Sequence, residues 1–145
     1  MLESFPFGAV AWRMTKIRVL LADNHEPTLE WIRIALNGEF DVVGAVRNGL
    51  DVVTEVRRLD PDVLVIDISM PILDGLRAVA LLDPGRRPPA VVFLTLHSDP
   101  DFVAAAFKVG ALSYVTKTDL NTDLVPAIRE ALQGRRYISQ SIRGT

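Results

Sequence analysis

The chain has no cysteine, which rules out a disulfide framework and any thiolate metal site, and its two histidines, His25 and His97, are too few for a histidine-rich zinc site. Such a composition suits a reducing cytoplasm. Long apolar stretches are missing as well: runs such as "AVVFLTL" fall far short of the roughly 18 residues that cross a bilayer. The opening "MLESFPFGAVAW" has neither the basic start nor the extended apolar core of a signal peptide. Nor is there an excess of positive charge. With 16 Lys and Arg against 18 Asp and Glu, the domain is not built to grip nucleic acid by itself, and its partners are expected to be proteins. No internal repeat or low-complexity tract is present.

What the chain does have is apolar content, 49% over 145 residues, enough for one compact core. The first 13 residues fit neither a clear helix nor a clear strand, so residues 1–15 read as an N-terminal extension, either an upstream start or a remnant foreign to the native chain. From Lys16 onwards short β-branched runs alternate with longer helical stretches, the pattern of βαβ units around a parallel sheet. The strands read Ile17–Ala22, Phe40–Val46, Val63–Ile66, Ala90–Thr95 and Leu112–Thr116. Their nearly continuous apolar character is what burial on both faces requires. "PTLEWIRIALN" puts Leu29, Ile32 and Leu36 on one helical face, and "GLDVVTEVRRL" and "GLRAVALL" follow the second and third strands. "DPDFVAAAFKVG" opens on a capping-type Asp99 and stops at Gly110. A last helix is expected from about Asn121 or Thr122 to Gln133, with Pro126 bending it. The fold expected is α/β: a flavodoxin-like, doubly wound, five-stranded parallel sheet in the order 2-1-3-4-5, with five helices.

In such sheets ligands bind beyond the carboxyl ends of the strands, where the strand order reverses. Asp23 and Asn24 leave the first strand there, Asp67 the third, Thr95 the fourth and Lys117 the fifth. An ionised carboxylate following the apolar run Val63–Ile66 is costly unless it is paired or bound to a cation. Two carboxylates and an amide offer oxygen ligands to a hard cation such as Mg²⁺. A hydroxyl and an ammonium opposite them could hold phosphoryl oxygens. Taken singly these residues have plainer readings: Asn24 as a helix cap, Lys117 as a solvated lysine, Tyr114 as core filler, and Gly75 as a turn residue with unusual dihedrals.

In their joint order, "LLADN", "DISMPILDG", "FLTLHS" and "YVTK" resemble the receiver domain of bacterial two-component response regulators over residues 16–134. That resemblance implies that Asp67 accepts a phosphoryl group from a histidine kinase, a phosphotransfer protein or a small phosphodonor. It implies further that Asp23, Asn24, Asp67 and the backbone carbonyl of Ser69 hold Mg²⁺, that Thr95 and Lys117 contact the phosphoryl group, and that Thr95 with Tyr114 forms the switch. The domain would be a phosphoacceptor assisting its own phosphorylation and hydrolysis rather than an enzyme. Asn24 departs from the usual second acid and puts metal affinity in doubt. Thr118 stands where many receivers have a cis proline, which leaves the isomer of the preceding bond open.

The tail "GRRYISQSIRGT" is similar to the NarL-type junction, so residues 135–145 read as the start of a linker to an output domain absent from this chain. DNA would then be bound only through that domain, transcription would be the controlled process, and a homodimer is compatible with this reading. Two rivals remain: a phosphorylation-independent pseudo-receiver, supported by Asn24 alone, and a flavodoxin-like electron carrier. The acidic, glycine-free "ADNHEP" loop disfavours the carrier.

Overall fold

A computed structural model describes residues 15–143; all but the last residue of the proposed extension at residues 1–15 lies outside the described residues. Six parallel strands form one sheet in the order β2-β1-β3-β4-β5-β6: β1 (Ile17–Ala22), β2 (Phe40–Val46), β3 (Val63–Ile66), β4 (Ala90–Thr95), β5 (Ser113–Thr116) and β6 (Tyr137–Ile138). Among the described residues six helices accompany them: α1 (Glu26–Ala35), α2 (Gly49–Leu59), α3 (Gly75–Ala80), α4 (Pro100–Lys108), α5 (Leu120–Leu132) and α6 (Gln140–Arg143). The expected core order 2-1-3-4-5 is therefore correct, but the count of five strands and five helices is not. The tail adds a sixth of each. A two-residue strand has too short a pattern to stand out in sequence, and it exists here because the Tyr137 and Ser139 N–H groups donate to the Leu112 and Tyr114 carbonyls.

Side-chain alternation along the strands builds two cores. Val19 and Leu21 point towards α1 and α5 with Leu29, Ile32, Leu124 and Ile128, whereas Leu20 and Ala22 point to the opposite face with Val52, Ala78 and Ala106. Leu29, Ile32 and Leu36 are all buried, as their spacing predicts. α5 begins earlier than expected, because a single 3₁₀ turn at Lys117–Asp119 leads straight into it. Asp99 does precede α4, yet its side chain makes no capping bond, whereas Asn48 and Asp74 accept from the Asp51 and Arg77 N–H groups at the starts of α2 and α3.

The loop between β3 and α3 is held closely. A Cβ on Gly75 would lie 2.0 Å from the Asp67 carbonyl oxygen, and one on Gly49 would lie 2.0 Å from that of Leu73. Gly75 thus serves close backbone approach rather than the unusual dihedrals expected of it. The strained residue is its neighbour Ile72: φ is +71°, and the Leu73 N–H donates to the Pro71 carbonyl at 2.8 Å, the pattern of a classic γ-turn. For a β-branched residue that backbone is a steric outlier costing on the order of 1–3 kcal/mol. Ile72 is 77% exposed, so it recovers little by burial. Ile72→Gly is expected to raise stability by about 1 kcal/mol, glycine's greater unfolded-state entropy offsetting part of the relieved strain. A higher urea midpoint at unchanged slope is the measurement; a lower midpoint refutes the strain.

Candidate functional site

Parallel register brings the site together. Ala22 pairs with Ile66, so the residues that follow, Asp23 and Asp67, leave adjacent strands side by side. Their backbones remain tied to the sheet, Asp23 N–H donating to the Val46 carbonyl at 3.0 Å and Asp67 N–H to that of Ala22 at 2.9 Å. Both side chains are buried, at 1% and 6% exposure. From the end of β5, the Lys117 ammonium reaches across to both, 2.8 Å from Asp23 Oδ2 and 2.9 Å from Asp67 Oδ2. Three of the residues singled out from sequence therefore form one bridged cluster.

Each carboxylate is oriented by a backbone donor as well. Asp67 Oδ1 accepts from the Ile68 N–H at 2.7 Å, and Asp23 Oδ1 from the His25 N–H at 2.8 Å. Burial raises the Asp23 carboxyl above its ordinary value of 3.8; the bonds from Lys117 and His25 oppose that, and the Asp67 charge adds to it. Desolvation would lower the Lys117 ammonium, but the two carboxylates outweigh it and hold it above its ordinary value. This is the electrostatics of a site short of positive charge.

Thr95, fully buried at the end of β4, accepts weakly from the His97 N–H at 3.4 Å. Tyr114 is packed inward, its hydroxyl donating to the His97 carbonyl at 2.8 Å, and burial pushes its phenol well up. His97 thus touches both residues of the expected switch. Its ring stacks on Phe102 with centroids 4.3 Å apart, and its Nε2 lies 2.6 Å from Ser69 Oγ across the mouth of the site. Asn24 is exposed and lines that mouth with Ser69 and His97, and it does not cap α1: the N-cap is His25, whose ring hydrogen-bonds Thr28. The Lys117–Thr118 bond is trans, as are all peptide bonds of the described residues.

The donor set fits a hard divalent cation. Two carboxylates, the Asn24 amide and the Ser69 carbonyl are oxygen ligands of the kind Mg²⁺ takes. Burial of Asp23 beside Asp67 with one ammonium between them leaves a net negative charge for the ion to neutralise. Among the described residues no group of three or more Asp, Glu, His or Cys side chains is placed to hold a metal ion, and position 24 contributes an amide in place of a carboxylate. A larger cleft of about 1080 Å³ opens at the other end of the sheet, but Arg129 pairs there with Glu39 and Arg87 with Asp62.

Sequence reasoning missed a second polar cluster beside the first. Asp119 and Asp123, at the start of α5, accept hydrogen bonds from the tail: the Ser139 hydroxyl and Ser141 N–H reach Asp119, and the Gln140 N–H reaches Asp123. The only signal was a pair of acids four residues apart facing the hydroxyls of "SQS", and helix surfaces carry such pairs commonly.

The raised Asp23 carboxyl gives a pH-dependence of definite sign. Native-state protonation is favoured, so wild-type stability falls as pH climbs from 3.8 through the higher native value. Asp23→Asn lacks this loss. The variant is expected to gain on the order of 1 kcal/mol at neutral pH, with the gain shrinking towards acid. Urea midpoints of both proteins from pH 3.5 to 7 test it, and a destabilised variant at neutral pH contradicts the burial argument.

Comparison with known proteins agrees with this geometry. Residues 19–129 match the family model described as the response regulator receiver domain. Among curated proteins, the chain is 32% identical over 130 residues to the transcriptional regulatory protein LiaR of Bacillus subtilis, covering 88% of this chain and 62% of LiaR. It is 28% identical over 131 residues to the probable transcriptional regulatory protein NarL of Mycobacterium tuberculosis, covering 89% of this chain and 61% of that protein. The chain thus spans less than two thirds of these relatives. Among solved structures, a LuxR-family two-component response regulator from Aurantimonas sp. SI85-9A1 superposes with a TM-score of 0.82 at 29% identity, over 90% of this chain and 94% of that one. The receiver domain of the putative response regulator NarL from M. tuberculosis gives 0.77 at 30% identity, over 83% and 98%. An α/β sheet of this order, a bridged acidic pair at its carboxyl edge and a family match over most of the chain together place the protein in the response regulator receiver domain family.

Proposed function

We propose that Asp67 is the phosphoacceptor of a two-component relay and that this chain is the receiver portion, residues 16–134, of a longer cytoplasmic transcription regulator, with residues 135–145 leading to its output domain. The observation that carries the reading is the Lys117 ammonium seated between Asp23 and Asp67 at the edge of the sheet. A carboxylate oxygen of Asp67 attacks phosphorus in line, and the bond from phosphorus to the donor breaks. The leaving group, the imidazole of a kinase phosphohistidine or the acetate of acetyl phosphate, takes the bonding electrons. The product is an acyl phosphate.

This chemistry asks for positioning and charge neutralisation more than for covalent help. The Ile68 N–H fixes the Asp67 carboxylate, Lys117 pairs with the phosphoryl oxygens, and the Thr95 hydroxyl donates to one of them. Asp23, Asp67, the Asn24 amide oxygen and the Ser69 carbonyl would hold Mg²⁺. That ion supplies neutralisation of the phosphoryl charge. Thr95 and Tyr114, joined through the His97 backbone, carry the change to the surface formed by α4, β5 and α5, where a second copy or the output domain docks. The exposed, uncharged Asn24 favours a second reading, a pseudo-receiver that signals without phosphorylation.

Incubation with acetyl phosphate and Mg²⁺ is expected to add one phosphoryl group to the wild type, seen by intact mass, and none to Asp67→Asn. Equal gain in both, or none in either, overturns the assignment. Metal affinity tests the role of Asn24. Asn24→Asp adds an anionic oxygen to the set and is expected to tighten Mg²⁺ binding by about tenfold, or roughly 1.4 kcal/mol, with repulsion among three carboxylates limiting the gain. Chemical-shift titrations of both proteins measure this, and unchanged affinity removes Asn24 from the metal site.

A further inference from the structure

The segment Tyr137–Arg143 lies against the receiver as a strap, and its fastening is almost wholly polar. Four of its N–H groups are used: Tyr137 and Ser139 donate to the Leu112 and Tyr114 carbonyls along β5, Gln140 to Asp123 Oδ2 at 2.9 Å, and Ser141 to Asp119 Oδ2 at 3.0 Å. The Ser139 hydroxyl, fully buried, donates to the same Asp119 oxygen at 2.5 Å, and the Thr116 hydroxyl lies within 3.2 Å of Ser139 Oγ and 3.0 Å of Ser141 Oγ. The Asp119 carboxyl is held at about 2 by its bonds from Ser139 and Ser141, which keeps it ionised as an acceptor. Apolar anchoring is slight, from the half-buried Tyr137 and Ile142.

What makes the arrangement informative is its position in sequence. Two of the strap's polar partners on the receiver, Thr116 and Asp119, bracket Lys117, and Lys117–Asp119 is one tight 3₁₀ turn closed by the Leu120 N–H on the Lys117 carbonyl. Three residues therefore carry both the ammonium of the acidic site and the clamp of the strap. A cleft of about 290 Å³ joins the two, walled by Leu96, Ser98, Lys117 and Ile142. Lys117 is now drawn inward by two carboxylate oxygens. Esterification of one of those oxygens to phosphorus would offer the ammonium new anionic oxygens beyond the carboxylate and draw it towards them.

We propose that the Tyr137–Arg143 strap is a latch released by occupancy of Asp67, the Thr116–Asp119 turn translating the displacement of Lys117 into loss of the Asp119–Ser139 clamp. This rests on the reading of Asp67 as phosphoacceptor and adds what that reading leaves open: which segment answers first, and in which direction. Coupling between sites is reciprocal, so a loosened strap favours occupancy of Asp67 by the same factor that occupancy loosens the strap.

The test uses the full chain with Mg²⁺ and beryllofluoride, with hydrogen exchange followed by NMR at the Tyr137, Ser139, Gln140 and Ser141 amides. Their protection is expected to fall at least about tenfold when beryllofluoride is bound, while the Ala127 and Ile128 amides inside α5 keep theirs. Bound beryllofluoride is seen independently by its fluorine signal. Its absence sinks the phosphoacceptor reading, and the latch with it; its presence with unchanged or increased strap protection overturns the latch alone. In the reciprocal arm, Asp119→Ala frees the strap and is expected to tighten beryllofluoride binding by about tenfold. Ser139→Ala removes the same bond from the strap side and keeps the arm decisive if the first variant fails to fold. A freed strap with unaltered beryllofluoride affinity refutes the coupling.

Discussion

Adjacent parallel strands in register place the residues that follow them side by side, and here both of those residues are aspartates. Left alone, two buried carboxylates would repel each other and one would stay protonated. Lys117 resolves the conflict by reaching both. At roughly 3 Å and an effective dielectric of about 20, each contact is worth on the order of 6 kcal/mol before desolvation of the three groups opposes it. With the ammonium delivered by β5, both carboxylates of the acidic edge can stay ionised. Mobile charge at such a point is a natural input for a two-state surface.

The supporting loop is built to the same tolerance. Gly75 lets the first turn of α3 press on the Asp67 carbonyl, with its own N–H donating to the Ile68 carbonyl at 2.8 Å, and Gly49 lets α2 press on the same loop from the other side. Between these contacts Ile72 is forced into a left-handed conformation. The strain is thus the geometric consequence of packing two helices tightly around the chain that carries Asp67.

Much of this was legible in the sequence for a physical reason: strands buried on both faces must be continuously apolar, so β1 to β4 stand out with their bounds intact. The convergence of Asp23, Asp67 and Lys117 followed from topology, because each lies just past the end of a strand. What stayed hidden depended on contacts distant in sequence. Gly75 looked like a turn residue because the carbonyl it accommodates is eight positions away, and the plainer alternative for Asn24, a helix cap, fails because His25 takes that place. Asp119 and Asp123 drew no notice in the sequence, because their partners lie in a tail that folds back from about 20 residues away.

The sheet's two margins are finished differently. At one side β2 carries a bulge, Val19 pairing with Val42 and Leu20 with Gly44, so that Val43 falls out of register. At the other, β5 is covered by a strand of only two residues. Bulges and very short outer strands are the means by which natural sheets refuse an added strand from another chain. Strand-to-strand stacking of neighbouring molecules is thereby discouraged at both ends, and the surfaces left for specific contact are helical faces and the loops around the acidic edge. With the tail docked, such a sheet is a poor template for fibres.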